Sequence, residues 1–64
     1  MREKKKIIIV KENSSLLNVL TNELVDLSNR TIRNYIKHGM VKVNNKVVKL
    51  PSTMLNVNDE VIIN

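Results

Sequence analysis

Ser28-Asn29-Arg30-Thr31-Ile32-Arg33-Asn34-Tyr35-Ile36-Lys37-His38-Gly39-Met40-Val41-Lys42-Val43-Asn44-Asn45-Lys46-Val47-Val48-Lys49 changes its hydrophobic period partway along, and that change decides the fold. The first part is helical. Ser28 supplies a start signal, Ile32, Tyr35 and Ile36 fall on one side, and Gly39 is placed to end the helix without a Cβ penalty. At 100° per residue, Arg30, Arg33 and Lys37 fall within about 60° of one another, away from Ile32 and Ile36. The helix therefore buries one face and presents a basic ridge on the other. The second part has period two. Val41-Lys42-Val43 alternates as a half-buried strand, Asn44-Asn45 makes a tight turn that needs positive φ, and Lys46–Lys49 returns as the partner strand.

Working outward, Lys5–Lys11 holds four β-branched apolar residues in a row, which predicts a leading strand buried on much of its surface. Ser14 or Ser15 caps a helix in which Leu16, Leu17, Val19, Leu20 and Leu24 form a wide apolar stripe, with Asn18, Thr21 and Asn22 opposite. Beyond the hairpin, Pro51 ends the strand by withholding a backbone donor. Asn56–Asp59 reads as a turn and Glu60–Asn64 as a closing strand. The expected fold is α+β. Two helices pack on a short, mostly antiparallel sheet, with a basic helix–hairpin surface, in one domain over 1–64 (core about 13–64, leading strand about 5–11). There is no linker, internal repeat or low-complexity segment.

Charge follows this layout. The 64 residues carry 11 Lys and Arg against 6 Asp and Glu, for a net charge of +5 and a pI near 9.9. Met1–Lys6 contributes +3, Ile7–Leu27 −2, Ser28–Lys49 +6 with no acid, and Leu50–Asn64 −2. So segregated a basic region suits a polyanion partner, although by charge alone a solvated surface explains it equally. Apolar content is 42%, enough for a small core. The absence of Cys rules out disulfides and thiolate chemistry and suits a reducing cytoplasm. Ile7–Val10, the longest apolar run, is too short to span a membrane, and no cleavage site follows Lys4-Lys5-Lys6. A cytoplasmic protein is expected.

Catalytic chemistry finds few residues to use. A single His and no Cys leave no metal-ligand set, and one Gly rules out a glycine-rich phosphate loop. Ser14, Ser15, Ser28 and Ser52 lack His–Asp support. His38 reads as a capping or surface residue at the end of its helix, and Tyr35 reads as core. No catalytic residue, metal or cofactor is expected. With Tyr35 the only aromatic, base stacking on a single strand is not the main mechanism. Recognition of shape and phosphate remains, which suits folded RNA.

Leu27–Val48 resembles the S4 domain, the RNA-binding domain named after a small-subunit ribosomal protein. That family pairs a Ser-led basic helix and a Gly with a Val-x-Val-Asn-Gly-Lys hairpin. Pro51 and the tail Asn58-Asp59-Glu60-Val61-Ile62-Ile63 are similar to its closing turn and strand, so the resemblance covers about Asn13–Asn64. Lys5–Lys11 resembles the extra strand found where this domain opens a large-subunit-type RNA pseudouridine synthase. Three positions depart from the pattern. Ser15-Leu16-Leu17 stands for Arg-Leu-Asp, Asn29 for an Arg, and Asn45 for the hairpin Gly.

The resemblance implies an RNA-facing surface built on the helix–hairpin arrangement called the alpha-L motif. Arg30, Arg33, Lys37, Lys42 and Lys46 match its basic positions, with Lys49 closing the stretch, and Ser28, Thr31 and Asn44 are candidate neutral contacts. Capping and turn formation account for Ser28 and Asn44 equally well. The function implied is binding of structured ribosomal or transfer RNA, as the recognition module of a pseudouridine synthase. The chain ends where the domain does, so a C-terminal catalytic domain is expected to follow. The alternatives are a solitary ribosome-associated RNA-binding protein and, from another class, a ubiquitin-like protein-interaction module with an apolar surface patch.

Overall fold

The structure is a computed structural model and describes Lys6–Ile63; Lys5, where the leading strand was expected to begin, and Asn64 lie outside the described residues. Along the chain run β1 (Lys6–Ile9), β2 (Ser14–Ser15), α1 (Leu16–Glu23), α2 (Asn29–Lys37), β3 (Val41–Val43), β4 (Lys46–Val47), β5 (Met54–Leu55) and β6 (Glu60–Ile63). Four strands form one antiparallel sheet in the order β1-β6-β3-β4, and β2 pairs antiparallel with β5 in a separate two-stranded ribbon. This is the expected α+β architecture.

Alternation along the strands sends one row of side chains to each face of the sheet. Ile8, Val10, Val41, Val43, Val61 and Ile63 point to the inner face, where they are buried with Leu16, Val19 and Leu20 of α1, Ile32 and Ile36 of α2, and Leu55 of β5. Helices of eight and nine residues are too short to stand alone in water. This shared core, at about 1.5–3 kcal/mol for each fully buried aliphatic side chain, is what holds them.

The outer face is open, which corrects one expectation. The apolar run in β1 was expected to be buried on much of its surface, yet Ile7 is 58% and Ile9 50% exposed. Both helices lie on the inner side, so nothing within the described residues covers the outer one. Register sets Ile7 opposite Ile62, Ile62 opposite Lys42 and Lys42 opposite Val47. The result is an apolar row across the sheet with one cation in it.

Backbone capping explains the element ends. Ser15 Oγ accepts from the Asn18 N–H at 3.2 Å, which makes Ser15, not Ser14, the N-cap of α1. The carbonyls of Thr53 and Pro51 accept from the N–H groups of Leu16 and Leu17 at 2.8 and 3.0 Å. Pro51 was expected to end the return strand, but it lies four residues beyond the end of β4; its carbonyl instead satisfies a free donor of α1. The Asn44-Asn45 turn has positive φ at both residues (52° and 71°), the mirror-image turn that matches strand twist. The return strand Lys46–Lys49 is shorter than expected. The regular strand stops at Val47, although the Val48 N–H still donates to Val41 O at 3.1 Å before the chain departs towards Pro51.

Candidate nucleic-acid interface

The central element is α2, fixed at both ends. At its start Ser28 Oγ accepts from the Thr31 N–H at 3.2 Å and lies 3.1 Å from Thr31 Oγ1. At its finish the Met40 N–H donates to Tyr35 O (3.0 Å) and the Gly39 N–H to Ile36 O (3.1 Å), with Gly39 at φ 76°. Those paired bonds are the Schellman arrangement, in which the residue after the cap must be left-handed. His38 caps through its backbone N–H, which donates to Asn34 O at 2.9 Å, and it is an exposed residue.

Ile32 and Ile36 are fully buried, so the helix cannot rotate about its axis, and Arg30, Arg33 and Lys37 are held in solvent as one ridge. Lys37 in the last turn is favoured by the helix dipole, but Arg30 sits in the first turn, where no acidic residue balances it. A cation beside the positive end of a helix costs a few tenths of a kcal/mol. The free N–H groups and Arg30 together favour an anion there.

The hairpin adds further bases in unequal positions. Lys46 lies opposite Val43 and shares the inner-face direction at the hairpin's exposed end. Lys49 folds its stem back over the end of α2, its Cε being 3.5 Å from the point where a Cβ on Gly39 would stand. The ridge and the hairpin therefore meet at Gly39. Lys42, between the buried Val41 and Val43, points to the outer face of the sheet beside its partner Val47, whose Cγ1 also lies 3.5 Å from that point on Gly39.

The neutral candidates are engaged within the fold. Ser28 and Thr31 form the α2 cap. Asn44 Nδ2 donates to Asp59 Oδ1 at 3.2 Å, and Asn44 Oδ1 accepts from the Glu60 N–H at 3.1 Å. The Asn44 amide thus ties the hairpin tip to the turn before β6.

One feature of this side of the molecule has no counterpart in the sequence reading. Ser15, Leu17, Arg33, Pro51, Ser52 and Met54 line an open groove of about 580 Å³. It exists because β2 pairs with β5, Ser15 opposite Met54, which brings the residues after Pro51 against the start of α1. Two-residue strands leave no periodic signal; Met54-Leu55 following Pro51 was the only hint.

Among the described residues no group of His, Asp or Glu side chains gathers to hold a metal ion, and no helix is long and apolar enough to cross a membrane. No curated protein matches the chain. The family model of the S4 domain matches residues 15–61, from the second residue of β2 to the second of β6, and leaves β1 outside. That match covers the capped basic helix, the hairpin and the closing strand just described, and by it the chain belongs to the S4 domain family of non-catalytic RNA-binding domains.

Proposed function

We propose that this S4 domain grips structured RNA, ribosomal or transfer, by its phosphates, and that it serves as the recognition module of an RNA pseudouridine synthase. The observation that carries the RNA reading is the ridge Arg30–Arg33–Lys37, aimed by the burial of Ile32 and Ile36 and met at Gly39 by Lys49. Such a surface reads phosphate spacing and shape rather than sequence. Lys42 and Lys46 extend it along the two faces of the hairpin. Ser28, Thr31 and Asn44 contribute by fixing the surface, through the α2 cap and the tie from the hairpin tip to β6.

The module reading draws on the outer sheet face, where Ile7, Ile9 and Val47 stand exposed beside Ile62. Attachment to a catalytic domain gives that face a partner, whereas a solitary ribosome-associated protein would leave it in water. A cytoplasmic setting accords with the lack of Cys. Two experiments test these claims. Arg30→Glu together with Arg33→Glu abolishes binding to folded RNA; unaltered affinity in a filter-binding titration would sink the RNA-surface claim. The module reading expects the full-length reading frame to encode a catalytic domain as well; a frame that encodes none would exclude the module.

A further inference from the structure

Arg33 belongs to two surfaces at once. Its neighbours on α2 are Arg30 and Lys37 of the ridge, and it also walls the groove formed by Ser15, Leu17, Pro51, Ser52 and Met54. The floor of that groove is apolar, with half-buried Leu17 and Pro51 and, at 68% exposure, Met54. An occupant must therefore offer an anion on one side and a flat apolar face next to it. Within a nucleic-acid strand, a nucleotide has that combination. In paired RNA the faces of the bases are covered by their stacked neighbours, so only an unpaired base has a face to give.

We propose that the groove takes one unpaired nucleobase of the RNA whose phosphates lie along the α2 ridge, an inference that rests on the RNA-binding reading above. Leu17 and Pro51 supply the apolar surface, and the Met54 thioether packs on the ring as methionine sulfur does on aromatic rings. The Arg33 guanidinium stacks or bonds at the edge while its neighbours hold phosphate. Ser15 Oγ already accepts from the Asn18 N–H, which leaves its hydroxyl proton to donate to a base edge, and the Ser52 hydroxyl lies on the same rim. A volume of about 580 Å³ is in the range of small-molecule sites, although this one is open along its length. It lets a domain with one aromatic residue hold a base without an aromatic platform.

The test uses two RNA hairpins, one with a single bulged 2-aminopurine and one fully paired. The chain is expected to bind the bulged RNA about fivefold more tightly, no more than the low end of what stacking on an aromatic side chain contributes. The 2-aminopurine fluorescence should change on binding. Met54→Thr, an exposed and neutral change, should bring the preference below about twofold while affinity for the paired hairpin stays within about twofold. Met54→Leu should keep the preference. Equal affinity for the two RNAs with unchanged fluorescence, or a preference that survives Met54→Thr, overturns the groove assignment and leaves phosphate binding standing. Failure to bind either hairpin removes the RNA-binding reading and the groove with it. A concentration-dependent dimer in sedimentation that Met54→Thr abolishes would give the groove to a second copy of the chain instead.

Discussion

Asn44 and Asp59, fifteen residues apart in sequence, are joined side chain to side chain at 3.2 Å, and the same Asn44 amide accepts from the Glu60 N–H. Asp59 uses its other oxygen to accept from the Asn56 N–H at 2.8 Å. A hairpin tip and the turn before β6 are thereby fastened together. Nearby, the Val57 N–H donates to Asn13 Oδ1 at 2.9 Å, and the Val10 N–H to Asp59 O at the same distance. Polar side chains in this end of the domain do what buried apolar ones do in the middle.

Asn44→Ala should be costly for a surface substitution. It removes two side-chain hydrogen bonds, each worth about 0.5–1.5 kcal/mol net, and forces Ala into a positive φ. A loss of about 2 kcal/mol in urea unfolding is expected, and a loss below about 0.5 kcal/mol would show that the fastening is not structural.

Asn45→Gly should move the other way. Asn45 also holds positive φ, at 71°, but has no side-chain role in the turn's links to β6. Glycine takes that conformation without a Cβ clash, and Asn-Gly is the preferred pair for this turn. A gain of a few tenths of a kcal/mol is expected from the thermal melting midpoint, with a clear loss as the contrary result.

Ser28→Ala removes the acceptor for the Thr31 N–H and should cost about 1 kcal/mol. Because the cap sets the first turn in which Arg30 sits, RNA affinity should fall too, by less than for loss of Arg30 itself. Melting and filter-binding measurements on the same preparation separate the two effects.

Ile32→Ala should remove a large share of the domain's stability. The side chain is fully buried between α2 and the sheet, and such truncations cost about 2–5 kcal/mol. A domain this small has stability near the low end of about 5–15 kcal/mol. A variant that melts within a few degrees of the parent would contradict the assigned core.

The parts legible in the sequence were those with local causes. α2 could be bounded to the residue because Ser28 and Gly39 act within a few positions of themselves, and the Asn44-Asn45 turn because its chemistry is its own. The parts not legible depend on what sits across space. Four apolar residues at Ile7–Val10 look the same whether a sheet is covered on one face or two, so the exposure of Ile7 and Ile9 had no sequence signature. The groove beside Arg33 needed the pairing of Ser15 with Met54, two residues long and 39 positions away by numbering. Asn44 could be read as a turn residue but not as the partner of Asp59, since nothing in a sequence says which side chains a turn will face.

The most direct measurement is the salt dependence of affinity for a folded RNA hairpin. If about four of the ridge and hairpin bases contact phosphate, log affinity falls with log salt at a slope of about −3 to −4. Arg30→Glu with Arg33→Glu should abolish binding at moderate salt and leave thermal stability nearly unchanged, since both side chains are exposed. A slope near zero, or a slope and affinity unmoved by the double charge reversal, would contradict the assignment of the α2 ridge as the RNA-binding surface.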